Sequence, residues 1–166
     1  MFEVGELVLY GRTGVCRVAE IVEKTLPGEK TPQLFYNLQP LYQSCSISIG
    51  VANTKVFIRP IISAEEAKAL ISSLPGLQAE PYHNRNLNQL REHYRACIET
   101  YCCADLAALA KSIWLKRRDC EANKRKLGAV DERFLREAEE LLFGELAAAL
   151  GMEKAQMVPY IKSIIG

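Results

Sequence analysis

The chain has 166 residues, of which 49% are hydrophobic and 25% charged, and a formal net charge of +1. These are ordinary globular proportions, which excludes a disordered or fibrous chain, and near-neutrality argues against retention on nucleic acid by bulk charge while leaving room for a local basic patch. No apolar run is long enough to span a bilayer. Acids stand among the first residues, Met1-Phe2-Glu3-Val4-Gly5-Glu6, the reverse of a secretory signal, so a cytoplasmic protein without membrane contact is expected.

Residues 1 to about 60 read as β. Glu6-Leu7-Val8-Leu9-Tyr10 is a short strand stopped by Gly11-Arg12-Thr13-Gly14. A longer strand over 15–23 is rich in Val and Ile and breaks at Pro27-Gly28. Over 33–39, Leu34, Tyr36 and Leu38 alternate with Phe35, Asn37 and Gln39. Cys45-Ser46-Ile47-Ser48-Ile49 is apolar on one face and serine on the other, and Val56-Phe57-Ile58 closes the series before Pro60. Short strands joined by tight turns at such spacing predict a small SH3-like or Tudor-like β-barrel.

From Ser63 the period changes to that of helices. Ser63-Ala64-Glu65-Glu66 has the form of a capping box, and the helix it opens ends near Ser73, before Pro75-Gly76. A polar loop over 77–86 precedes a second helix over 87–101, with Leu87, Leu90, Tyr94, Cys97, Ile98 and Tyr101 at three- and four-residue steps. A third helix is predicted over 104–123, burying Leu106, Leu109, Ile113, Trp114 and Cys120, and a fourth over 131–150, burying Phe134, Leu135, Ala138, Leu141, Leu142 and Leu146. A last helix over 153–165 should break or kink at Pro159. The fold class is therefore α+β: a β domain over 1–60 and an all-α domain over 61–166.

Catalysis finds little support, and an enzyme ranks behind the binding readings. There is no Gly-rich phosphate loop, no HExxH and no GxSxG. Glu65-Glu66 and Glu139-Glu140 are sequence neighbours on helices and so do not face each other. The cysteines at 16, 45, 97, 102, 103 and 120 form no CxxC and share no zinc-ligand spacing with His83 or His93. Free thiols are expected, with the vicinal pair Cys102-Cys103 read as one buried and one exposed thiol rather than a redox couple. No active site, metal or cofactor is expected. Charge is distributed unevenly: residues 84–126 hold ten Lys/Arg against five acids, whereas 127–166 hold four against seven. A basic middle stretch of this kind fits either contact with phosphates or solvated helix faces. Trp114 lies among apolar helical positions and is assigned to the core.

Certain strings, in order, resemble the CarD/CdnL transcription regulators, whose first module is also the polymerase-interacting domain of the transcription-repair coupling factor. They are Phe2-Glu3-Val4-Gly5-Glu6-Leu7-Val8-Leu9-Tyr10, Gly14-Val15, Glu20-Ile21, the stretch 47–53, and Ile58-Arg59-Pro60-Ile61-Ile62-Ser63. In the helical half they are Tyr94-Arg95, Ile113-Trp114 and Ala138-Glu139-Glu140-Leu141-Leu142-Phe143-Gly144-Glu145-Leu146. The resemblance extends to about residue 150. It implies a non-enzymatic protein whose barrel docks on a β-rich lobe of the RNA polymerase β subunit. It also implies a helical domain that contacts the upstream edge of the promoter bubble, with an aromatic wedge at the junction and basic side chains on the phosphates.

Matched residue by residue, the resemblance assigns Lys24 and Ser48 to polymerase contact, Ser48 standing where arginine is usual, and Gly50 falls where proline is common. It assigns Leu90, Arg91, His93, Arg95 and Arg133 to promoter DNA, with Leu90 in place of the wedge tryptophan, Glu92 at a commonly basic position and Glu132 where lysine is often found. Trp114 matches an internal tryptophan of the family and does not replace the wedge. For Leu90 the competing reading is a core residue four positions before Tyr94. For the whole chain the alternatives are a polymerase-binding paralogue without DNA contact and an SH3-like adaptor for another partner.

Overall fold

A computed structural model of the chain describes residues 1–53 and 55–165, so Gly166, the last residue assigned to the helical domain, lies outside the described residues. The chain divides into two units, Met1–Ile62 and Ser63–Gly166.

The first unit is a five-stranded antiparallel sheet in the order β4-β3-β2-β1-β5, formed by β1 (Leu7–Tyr10), β2 (Gly14–Lys24), β3 (Gln33–Pro40), β4 (Ile47–Gly50) and β5 (Ile58–Pro60). One face carries the core: Val8, Cys16, Val18, Tyr36, Leu38 and Ile49 are buried, with Ile21 and Ile47 partly buried against them. The alternation read in β3 and β4 is what assembles this face. In β2 the period breaks, because the pairing of β2 with β3 shifts register between Val18 and Glu20. This bulge inserts Ala19 as an extra residue and reverses the phase. Cys16 and Val18 point inward before it and Ile21 after it, which turns Glu20, Val22 and Lys24 to the opposite face. The fifth strand begins two residues later than the sequence suggests. The Phe57 carbonyl instead accepts from the Gly11 amide (2.8 Å), and Asn53 holds the preceding turn by donating from Nδ2 to the Val56 carbonyl (3.0 Å).

The second unit consists of α1 (Ala64–Ser73), α2 (Leu87–Ile98), α3 (Cys103–Ala122), α4 (Ala129–Leu150) and α5 (Lys154–Ile165). The capping box of α1 is formed in both directions: Ser63 Oγ accepts from the Glu66 amide (3.1 Å) and the Ser63 amide donates to Glu66 Oε2 (3.3 Å). Asn86 caps α2 by accepting from the amides of Asn88 and Gln89. That helix ends at Ile98 rather than Tyr101, which takes a left-handed φ of 52° in the turn to α3. Leu87, assigned to its apolar stripe, is exposed. In α5 the helix runs on through Pro159 instead of breaking there. Both Pro159 and Ala155, whose carbonyl loses its i+4 donor, are exposed, so the orphan carbonyl remains open to water. Helices α3 and α4 pack together along their length, with Leu106, Ile113, Phe134, Leu142 and Leu146 nearly or fully inaccessible, and α2 lies on both.

Candidate functional site

The outward face of the sheet brings together the two residues assigned to polymerase contact. Lys24 Nζ donates to Ser48 Oγ at 3.2 Å, joining β2 to β4 across a sequence separation of 24 residues. Its route crosses the half-buried ring of Phe35 on β3, whose centroid is 5.6 Å from the ammonium. A cation over a partly solvated ring contributes on the order of 1 kcal/mol. Its main effect here is to hold a long flexible side chain in one place. Beside this group Asn37 Nδ2 donates to Glu20 Oε1, closing a polar row of Glu20, Asn37 and Ser48 across the three strands. The geometry follows from the bulge: without the extra residue in β2, Lys24 would fall on the core side. Phe35, Glu20 and Asn37 were not singled out in the sequence, although the alternation over 33–39 already set Phe35 and Asn37 opposite the core side chains.

The residues assigned to DNA lie in the helical unit, and one of them, Leu90, is buried. Leu90 is 3% exposed and shares an inward stripe with Tyr94 and Ile98 at steps of four residues. It packs in the helical core, the competing reading of this position. Arg91 and Arg95 lie off that stripe, Arg95 exposed and Arg91 half-buried with Nη1 donating to Asn88 Oδ1 at 3.1 Å. His93 stacks on Tyr82, with centroids 3.7 Å apart and planes 13° from parallel. Burial lowers its pKa from the usual 6.5, which favours the neutral imidazole over the cation. Arg133 is exposed, its guanidinium 5.5 Å from the Phe134 ring centre.

A buried polar cluster lies beneath these residues. Asp131 Oδ1 accepts from the Tyr94 hydroxyl (2.5 Å) and from Lys116 Nζ (2.9 Å), while Lys116 also donates to the Tyr82 carbonyl (3.0 Å). Burial and the bond to Asp131 push the Tyr94 hydroxyl far above its ordinary pKa, so it remains a donor. The cluster ties α2, α3, α4 and the 77–86 segment together. Neither Lys116 nor Asp131 was identified in the sequence, since each looked like an ordinary member of a charged helix face.

Trp114 is half-buried rather than fully in the core, with Nε1 donating to Glu139 Oε1 at 2.6 Å. All six cysteines are free thiols, Cys102 exposed and Cys103 buried. Among the described residues no group of three or more His, Cys, Asp and Glu is arranged to hold a metal ion, and no helix is long and apolar enough to cross a membrane.

The outward face thus combines a lysine, a half-buried aromatic ring and a polar row next to the edge strand β4. Residues 2–62 match the family model of the CarD-like/TRCF RID domain. The match assigns the first unit to the CarD-like/TRCF RID domain, the RNA-polymerase-interacting module of that family, and does not extend to the helical unit. The match ends at Ile62, the last residue of the sheet unit.

Proposed function

We propose that the chain is a transcription regulator that docks on the β subunit of bacterial RNA polymerase through the outward face of its N-terminal sheet, and that its helical unit adjusts the stability of the promoter open complex. The observation that carries docking is the Lys24–Ser48 hydrogen bond over Phe35, which gathers both assigned contact residues at one place beside the edge strand β4. A β-rich partner meets there a fixed cation, an aromatic surface and unpaired main-chain groups. Titration of purified β subunit with the full chain tests this reading. Saturable binding, weakened by Lys24→Glu, is expected; equal binding by the variant moves the interface elsewhere.

In the helical unit Arg91, Arg95 and Arg133 are the groups left to meet phosphates, while Leu90 acts only by holding α2 in place. A second reading, a polymerase-binding paralogue without DNA contact, is favoured by the burial of Leu90, the lowered pKa of His93 and the exposed Glu92 beside them. Binding to forked promoter DNA at several salt concentrations separates the two readings, because phosphate contacts impose a steep salt dependence.

A further inference from the structure

Trp114 stands between two clefts of the helical unit. On one side a cleft of about 240 Å³ is lined by Phe143, Val158 and Ile161. On the other, a cleft of about 390 Å³ is lined by Pro75, Leu77 and Leu115. Trp114 and Ile165 line both, so the two clefts adjoin and count together as the two lobes of one groove. The indole is fixed: its N–H is bound to Glu139 and its ring lies against Phe143, with centroids 6.4 Å apart.

The charges around this groove are one-sided. Arg117 and Lys162 border the first lobe, and Arg118 and Lys111 the second. Lys111 is engaged with the carbonyls of Leu74 (2.7 Å) and Pro75 (3.0 Å). The side chains of Arg117, Arg118 and Lys162 make no hydrogen bond or ion pair with the described residues. Among the described residues Glu139 is the one acid bordering either lobe, and the indole already occupies it. Three unanswered cations thus surround an apolar floor with an aromatic ridge. Carboxylates answer such cations well, arginine pairing them through its planar fork. A nucleic-acid backbone would satisfy the cations but would leave both apolar lobes unfilled.

We propose that this groove docks an acidic peptide segment of a partner protein, presenting two apolar anchor side chains, one for each lobe, with Asp or Glu residues beside them. The surface belongs to the helical unit alone and is independent of the polymerase-docking face, so either proposal can fail without the other.

The test is selection of random twelve-residue displayed peptides on the full chain, in parallel with selection on Arg117→Glu/Arg118→Glu/Lys162→Glu. Far-ultraviolet circular dichroism must show that the variant is folded. The expected result is enrichment of peptides that pair two apolar residues with acids on the unaltered chain alone. The leading synthetic peptide should change the emission of Trp114, the only tryptophan in the chain, in a saturable way, and bind the variant at least tenfold more weakly. A Lys-for-Glu version of that peptide should not bind. Absence of any peptide that distinguishes the two proteins overturns the proposal, as does enrichment without acidic bias. Displacement of the peptide by a twenty-base-pair duplex that itself binds more tightly would assign the cations to phosphate and overturn it as well.

Discussion

Leu90→Ala separates core from surface at the position where the resembling family carries its wedge. The side chain is 3% exposed in line with Tyr94 and Ile98, so truncation leaves a cavity, and Leu→Ala at such sites costs about 2–5 kcal/mol. A leucine offered to solvent as a wedge would cost no more than about 0.5 kcal/mol. The two readings differ by several-fold, well beyond experimental error. Trp114 is the only tryptophan and lies in the helical unit, so its fluorescence during urea unfolding reports that unit apart from the sheet. With a slope of about 1.5 kcal/mol per M, a loss of about 3 kcal/mol lowers the midpoint by roughly 2 M. Leu90→Met, which nearly conserves volume, should cost less than about 1.5 kcal/mol. A midpoint unchanged by Leu90→Ala, together with weaker binding to forked DNA, would refute the core assignment and restore the wedge.

Lys24→Glu should weaken polymerase binding most at low ionic strength, since a rim charge acts chiefly on association, and surface plasmon resonance at two salt concentrations with circular dichroism as the fold control checks it. Lys116→Met strands the Asp131 carboxylate and should destabilise the helical unit by about 3–5 kcal/mol, whereas Lys116→Met/Asp131→Leu should recover much of the loss; equal loss in both variants, by urea unfolding, would show that the ion pair is not what matters. For His93 the folded-state pKa lies below the usual 6.5, so the unfolded chain takes up the proton first as pH falls. Its contribution is complete above that value and declines below it, toward the lower folded pKa. His93→Phe keeps a ring on Tyr82 and should flatten the stability profile between pH 7 and pH 5 in thermal melts.

Most of the fold was legible because periodicity is a local signal. The alternation in β3 and β4 and the four-residue steps of α2 and α4 each fix a buried face without knowledge of the partner. What escaped was set by tertiary context. The bulge at Ala19 is one residue of register, and no composition signal in Val18-Ala19-Glu20 marks it, yet it decides the face on which Lys24 stands. Leu90 fits both a helical core stripe and a family alignment column, and only burial separates them. Lys116 and Asp131 resemble surface charges until packing removes their water. Trp114 has an apolar pattern around it, but its ring ends at a surface cleft because α5 leaves it half covered.

The open edge of the sheet has a polarity of its own. The Val51 amide bonds to the Leu34 carbonyl, and β4 pairs Ile49 with Tyr36, so the odd-numbered residues of this strand direct their main-chain groups toward β3. By antiparallel alternation Ser48 and Gly50 direct theirs outward, although the Gly50 carbonyl already accepts from the Asn53 amide (2.9 Å). Proline at residue 50 would delete one of these two donors, while glycine keeps both. At the opposite margin, the Ile61 amide bonds to the Leu7 carbonyl and the Phe57 carbonyl accepts from Gly11, so Pro60 is turned outward and offers no donor. The sheet can therefore be lengthened by a further strand along β4 far more readily than along β5. Growth from one margin only would limit each molecule to a single added strand and disfavour edge-to-edge chains of copies.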